Sequence, residues 1–344
     1  MRKHSLESGD IKKTVKRHHK GSSIRKVRFD QAGNAVTIAK TVKVYDLASE
    51  KTIHTLKRDD DKTSTFYSVL PLAHELVCAG DDDGHLVAWD TRTPEKPVFS
   101  AHDCEQYISD MDGRHEGRRL LVCTSGEGTL TAYDMRAHKM IEPQSELFET
   151  GFQCVRLVES TKKVVIGGED GAVYVFNQNE WGHTSGKFAF GDDLQNRGKC
   201  SIDCMDMLSD ECEFLLGCSD GKLRSIGLWP HRIFNELTVC KRASIEAIHV
   251  NPRKDRSELV VCGENHLNII SFVEKDEENV EAASEDSNDD DDDDSATTNT
   301  SQESSSASSH TAETGNEADK GDESEQSRAK RQKISDEDYL NIFK

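Results

Sequence analysis

The residues whose types could do chemistry in this 344-residue chain are scattered rather than assembled. Asp81, Asp82 and Asp83 stand together and could hold a divalent cation. Three aspartates before Gly84 also describe a solvated hairpin turn, and that reading is preferred because Asp bonds readily to its own backbone in turns. Cys200, Cys204 and Cys212 suggest zinc by type, but their spacing is not that of a closed metal site. They read as buried or half-buried thiols. His4 with His18 and His19 is no closer to a ligand set. There is no phosphate loop, nucleophile elbow or HExxH. The residues therefore point to a chain that is not an enzyme, and no metal or cofactor is expected.

Two short arrays invite a different chemistry. Trp89-Asp90-Thr91-Arg92 and Tyr133-Asp134-Met135-Arg136 share the pattern aromatic-Asp-x-Arg. In the simpler reading Asp90 and Asp134 hold turns and the arginines are solvated. In the other, Arg92 and Arg136 lie side by side and present planar donor forks to a partner's carboxylates or carbonyls. Arg25, Lys26, Arg28 and Lys43 could meet nucleic-acid phosphates. The net charge of −20 opposes this, although most of it sits in one place. Glu274 to Glu325 carries about −18, and removing the tail leaves the first 273 residues near −4. A nearly neutral core lacks the basic footprint of phosphate binding, and ordinary surface charge is the preferred reading.

The elements that must position these residues come from a repeat. Six runs align without gaps: Thr41 to Asp46 (TVKVYD), His85 to Asp90 (HLVAWD), Thr129 to Asp134 (TLTAYD), Ala172 to Asn177 (AVYVFN), Lys222 to Gly227 (KLRSIG) and His266 to Ser271 (HLNIIS). Their period is about 44 residues, that of a four-stranded propeller blade. The second position is always aliphatic and the fifth always large and apolar. On a strand these positions face opposite ways, so both faces are buried, as stacked blades require. Asp-Gly or Glu-Gly turns precede most runs, and another apolar strand precedes each turn. The pattern resembles WD repeats and covers about 265 residues. Trp89-Asp90 is the one strict signature dipeptide. The fold expected is all-β, a propeller of six blades as the chain stands, where the family usually has seven. The last repeat lacks a fourth strand after Phe272, and Asp10 to His19 is expected to supply it. A closed six-blade ring and an open ring shortened at its N-terminus both fit.

Three domains follow: residues 1–273 as propeller, 274–327 as a disordered acidic tail, and 328–344 as a basic cluster with a short linear motif. The tail has too little apolar surface to offset the entropy of ordering. Its run Asp289 to Asp294 suits either a solvating spacer or basic partners. Ser287 and Ser335, each followed three places on by an acid, are phosphorylation candidates. Arg328, Lys330, Arg331 and Lys333 read as a nuclear import signal. Tyr339, Leu340, Ile342 and Phe343 are too apolar for a solvated tail and read as a docking motif. No apolar run is long enough for a membrane span, and unpaired cysteines suit a reducing compartment.

Taken together, His18 to Asp30 (HHKGSSIRKVRFD), Gly80 to Asp90 (GDDDGHLVAWD), the acidic tail and the ending KRQKISDEDYLNIF resemble the WD repeat-containing protein 55 family. The resemblance implies a nucleolar scaffold in ribosomal RNA production and large-subunit ribosome biogenesis. Nuclear and nucleolar localisation, with some cytoplasmic protein, is implied with it. The chain would act as a monomer within a larger assembly, docking ribosome assembly factors, with basic partners for its tail. RNA contact and the direct partner stay open. The aromatic-Asp-x-Arg pair resembles the docking box of substrate receptors for the cullin-4 ubiquitin ligase adaptor, which is the alternative function.

Overall fold

The computed structural model describes residues 2–4, 11–14, 18–19, 21–58, 64–114, 119–189, 200–209, 213–229, 231–241, 243–251, 258–263, 267–271 and 330–333. Contacts divide the chain into two compact units, Met1–Val273 with Ser327–Lys344, and Glu274–Gln326. The second unit lies outside the described residues. The first is a six-bladed β-propeller, and no helix occurs among the described residues.

Each blade is a four-stranded sheet. The first holds β3 (Lys26–Phe29), β4 (Ala35–Ile38), β5 (Val42–Asp46) and β6 (Lys51–Leu56). The second holds β7 (Phe66–Pro71), β8 (Leu76–Asp81), β9 (His85–Asp90) and β10 (Pro97–His102). The third runs β11 (Ile108–Arg114), β12 (Leu120–Ser125), β13 (Leu130–Asp134) and β14 (Lys139–Ile141). The fourth runs β15 (Phe152–Val158), β16 (Lys163–Gly168), β17 (Ala172–Asn177) and β18 (Gly186–Ala189). In the fifth are β19 (Ile202–Ser209), β20 (Glu213–Cys218), β21 (Lys222–Leu228) and β22 (His231–Thr238). The sixth has β23 (Ile245–Val250), β24 (Glu258–Gly263), β25 (Leu267–Ser271) and β26 (Lys330–Lys333).

The six aligned runs are the third strands, β5, β9, β13, β17, β21 and β25. Their two-sided burial is clearest in β9, where Leu86 and Trp89 are both fully buried. Trp89 packs back on Phe66, Val77 and Val87 towards the first blade, while Leu86 and Ala88 join Ile108 and Met111 towards the third. Such clusters join the successive blades from the first to the sixth, through side chains worth about 1.5–3 kcal/mol each when fully buried. The Asp-Gly and Glu-Gly turns adopt the expected left-handed conformation, with φ of 81°, 94°, 76° and 77° at Gly84, Gly128, Gly171 and Gly221.

The sixth blade corrects the sequence reading. Ile11–Thr14 does not complete it but pairs antiparallel with Arg2–His4 as a separate two-stranded sheet, β1 and β2. The fourth strand is instead the basic segment β26, running parallel to β25 with Asn268 opposite Lys330 and Ser271 opposite Lys333. A hairpin between neighbours in sequence closes the shorter loop and has the lower entropic cost. A Lys- and Arg-rich strand also suits a sheet edge, because its charges discourage further pairing.

The first blade shows an uncovered face. Val27 and Phe29 on β3 are 38% and 63% exposed, whereas Val69, Met111, Val155 and Met205 at the position of Val27 are buried. Beside them Thr37 and Tyr45 are covered by His18, whose ring bonds Thr37 Oγ1 at 2.8 Å and meets Tyr45 edge-on. Burial, with no carboxylate to offset it, lowers the pKa of both His18 and His19, the latter to about 4, so both are neutral at pH 7. Val27→Ala is expected to change stability by less than about 0.5 kcal/mol. Met111→Ala should cost about 2–5 kcal/mol. Urea titrations of the two variants check the contrast, and equal losses would mean that the face of β3 is covered in solution.

Candidate docking surfaces

The first strands line the centre of the ring, and one carboxylate organises them. Asp110 on β11 has a side chain only 3% exposed, yet it is surrounded by Lys26 and Arg28 from β3 and Arg156 from β15. Arg28 Nη2 lies 3.3 Å from Oδ1, and Arg156 Nη1 donates to Oδ2 at 3.1 Å, next to the Val155 amide. Burial would raise the carboxyl's pKa, but the three cations outweigh it and hold the group well below the usual carboxylate range. The pattern recurs around the ring. Leu157 N donates to Asp112 at 2.8 Å, and Val250 N donates to Asp206 on β19 at 2.9 Å. Each of these carboxylates on a first strand thereby caps the backbone of the next blade.

This accounts for the basic character seen near the N-terminus. Lys26 and Arg28 are used inside the ring, Arg25 pairs with Asp82, and Lys43 donates to the His18 carbonyl. These residues are structural cations rather than a phosphate surface. Asp81 is likewise spent. It is fully buried, bonded by Arg58 and by Ser64 Oγ at 2.7 Å, and it accepts the His85 amide at 2.7 Å. An arginine already supplies the positive charge that a metal would bring.

At the end of the ring that carries the glycine turns, Arg25, Tyr67, Gln153 and Asp203 occupy equivalent positions at the start of the first strands. Tyr67 and Tyr107 approach with ring centroids 4.7 Å apart, and the Arg25 guanidinium lies 5.3 Å from the Tyr67 ring. Gln153 Nε2 donates to the Tyr107 hydroxyl at 2.9 Å and to Glu169 at 2.5 Å. Burial, and then the neighbouring Glu169, Glu246 and Asp220, raise the pKa of Asp203. The mouth therefore combines two half-exposed tyrosines with carboxylates, a surface suited to cationic side chains through charge and ring faces. Asp110, Arg156, Tyr67, Tyr107 and Glu169 escaped the sequence reading. Tyr67, Asp110 and Arg156 sit on first strands, which do not align by pattern, and Tyr107 and Glu169 flank β11 and β16, so no repeat marks them in sequence.

Arg92 and Arg136 lie at the opposite ends of their sheets, each just past a third strand, on neighbouring blades. Arg92 folds back on its own Asp90, with Nε at 2.9 Å and Nη2 at 2.5 Å, although its side chain is 71% exposed. Asp90 and Asp134 both accept the amide of the arginine two residues on, at 2.9 and 3.0 Å, so both hold turns. Trp89 and Tyr133 are buried, and their polar atoms reach Lys57 O at 2.8 Å and Asp103 at 2.9 Å. They support the turns from within, and of the eight residues only the two arginines are exposed.

Cys200 does not gather with Cys204. Its sulfur meets Cys218 and Asp220, all three ligand atoms lying within 4.8 Å of one another, and Cys212 lies outside the described residues. Lys330, Arg331 and Lys333 are in β26. Arg328, the docking motif Tyr339, Leu340, Ile342 and Phe343, and Ser287 and Ser335 lie outside the described residues.

No family model matches the chain. It is 29% identical over 236 residues to WD repeat-containing protein 55 of Homo sapiens, covering 67% of this chain and 57% of that protein. The match to the protein of the same name in Rattus norvegicus is 29% over 234 residues, again 67% of this chain and 57% of the relative. A WD repeat-containing protein 55 homolog of Drosophila persimilis is 29% identical over 269 residues, 77% of this chain and 50% of the relative. The chain thus spans between half and three-fifths of the length of these relatives. Propellers of this kind generally serve as non-catalytic platforms for protein contacts.

Proposed function

We propose, from the premise that this chain is a WD-repeat propeller similar to WD repeat-containing protein 55, that it is a nucleolar scaffold in ribosomal RNA production and large-subunit ribosome biogenesis. It acts by docking proteins on the ends of its ring. The observation that carries this reading is the mouth of Tyr67 and Tyr107 among Glu169 and Asp203. Ribosome assembly is rich in Lys- and Arg-bearing segments, and this is the surface that would take them. The acidic tail would raise their local concentration through its long-range field. Import through Lys330, Arg331 and Lys333 belongs to the same proposal, with the qualification that β26 must then leave its edge position for a receptor to read it.

A second reading is favoured by the exposure of Arg92 and Arg136 on neighbouring blades, which suits the adaptor of a cullin-4 ubiquitin ligase. One experiment separates the two. Tagged full-length chain, a Tyr67→Ala/Tyr107→Ala variant and an Arg92→Ala/Arg136→Ala variant are purified from cells with their partners, and the fold is checked by circular dichroism. Loss of a tyrosine hot spot costs about 2 kcal/mol or more, roughly a thirtyfold weakening. The tyrosine variant should therefore lose assembly factors and nucleolar position. The arginine variant should keep both and lose only the adaptor. Assembly factors retained by the tyrosine variant would overturn the scaffold reading at this mouth. An adaptor absent even from the unmutated chain would remove the second.

A further inference from the structure

The fifth blade carries a thiol pair that neither reading uses. Cys200 lies in the lead-in to β19 and is half-buried, while Cys218 ends β20 and is buried. The backbone brings them together: Ser219 N donates to Ser201 O at 3.0 Å, and Ile202 stands opposite Cys218 in the ladder. The Cys200 backbone is fixed from the other side by the turn at Gly171, where a Cβ would come within 2.5 Å of the Cys200 carbonyl.

The surroundings distinguish a reactive thiol pair from a metal site. Two sulfurs and the Asp220 carboxylate within 4.8 Å would offer three ligands. Arg224 already occupies the place of the cation. Its Nη2 and Nη1 donate to Asp220 at 2.6 and 3.2 Å, and Nη1 also lies 3.7 Å from Cys200 Sγ. Ser219 Oγ approaches the same sulfur at 3.8 Å. A guanidinium and a hydroxyl directed at one sulfur favour its anion, whereas a divalent ion beside Arg224 would be repelled. The Cys218 thiol, as a hydrogen-bond donor to Cys200, lowers the Cys200 pKa to about 6, although burial opposes this. The Cys218 pKa is raised in return.

We propose that Cys200 and Cys218 form a hydroperoxide-responsive redox switch, closing reversibly to a disulfide that ties the lead-in of the fifth blade to its second strand. The Cys200 thiolate attacks the distal peroxide oxygen, the O–O bond breaks, and the sulfur becomes a sulfenic acid while the leaving oxygen takes a proton. The Cys218 sulfur then displaces the hydroxyl. An S–S bond forms, the S–O bond breaks, and the Cys218 proton leaves in water. Two thiols and one hydroperoxide thus give a disulfide, an alcohol or water, and water. A dithiol reductant reverses the step by exchange. Cys200 attacks because it is the half-exposed and more acidic sulfur, and Cys218 resolves because it is held beside it.

The test uses the full chain, reduced and then treated with stoichiometric hydrogen peroxide before alkylation and mass spectrometry. The expected result is loss of two hydrogens, loss of alkylation at two cysteines, and a linked peptide pair containing Cys200 and Cys218. Cys218→Ser should leave a sulfenic acid at Cys200 that dimedone captures. In Cys200→Ser, Cys218 should stay reduced. The pH midpoint for alkylation of Cys200 should lie near 6. Cys218→Ala, which removes the hydrogen-bond donor, should move it towards the ordinary thiol value of about 8.5, a readout that simple packing would not shift. A linkage through another cysteine, or a Cys200 no faster to alkylate at pH 7 than a buried thiol, overturns the proposal. So does protection of the pair by zinc that a chelator reverses.

Discussion

Replacing Asp110 with Asn is expected to lower the unfolding free energy by about 3–5 kcal/mol, the usual cost of breaking a buried ion pair from one side. The side chains are nearly isosteric, so no cavity is made. What is lost is the one charge, among the described residues, that pairs with Lys26, Arg28 and Arg156 together at the centre of the ring. Lys26 and Arg28 would then lose the carboxylate they share, and Arg156 would keep Asp206, 3.8 Å from its Nε. A urea titration should show a lower midpoint with an unchanged slope. A loss below about 1 kcal/mol would mean that water already screens the network.

The effect has a defined pH dependence. The folded pKa of Asp110 is held below its unfolded value of about 4, so its contribution is complete above that pH and disappears as pH falls towards the folded pKa. The stability gap between the native chain and Asp110→Asn should therefore be constant from neutral pH down to about pH 5 and shrink below pH 4. A gap that widened on acidification would contradict the ion-pair account.

Gly221→Ala is expected to be the most damaging of the turn substitutions. A left-handed alanine costs about 1–2 kcal/mol by itself. At Gly221 the added Cβ would also stand 1.8 Å from the Cys240 carbonyl oxygen and 2.6 Å from that of Ala243, the segment leading into the sixth blade. Backbone on both sides must move, and a total cost of roughly 3 kcal/mol or more follows. Gly33 is the internal control. It has the same left-handed φ, 82°, and nothing within 4 Å of its would-be Cβ. Gly33→Ala should therefore cost only the conformational part. Thermal melts of the two variants at one pH check the difference, and equal losses would show that the junction between blades yields freely. The same approach recurs at Gly84 against Cys104 O (2.1 Å), Gly128 against Thr150 O (2.3 Å) and Gly171 against Cys200 O (2.5 Å).

Those glycines show where the linear sequence is informative and where it stops. Their need for positive φ is local and readable, since an Asp-Gly pair between two apolar strands implies a tight turn. So is the alternation that buries Leu86 on one face and Trp89 on the other, because period and pleat are properties of the chain itself. Both gave the all-β propeller, the repeat length and the six third strands. The contact of each turn with the next blade is not local. It depends on how sheets stack, and no residue type announces it. The same holds for Asp110, whose partners lie 82–84 positions before it in Arg28 and Lys26 and 46 positions after it in Arg156. Read in order, the cations suggest ordinary surface charge, with phosphate binding as the alternative, and the aspartate suggests nothing. The resemblance to WD repeats puts the fourth strand of the last blade at the wrong end of the chain, because edge pairing needs only a free extended backbone and leaves little mark in side chains. Cys200 likewise stands near Cys204 in sequence, while in the fold its sulfur meets Cys218. Local pattern determined which segments are strands and which of their faces are apolar. Only the tertiary arrangement decided which charges, thiols and backbones meet, since those contacts are made between blades and the sequence repeats within them.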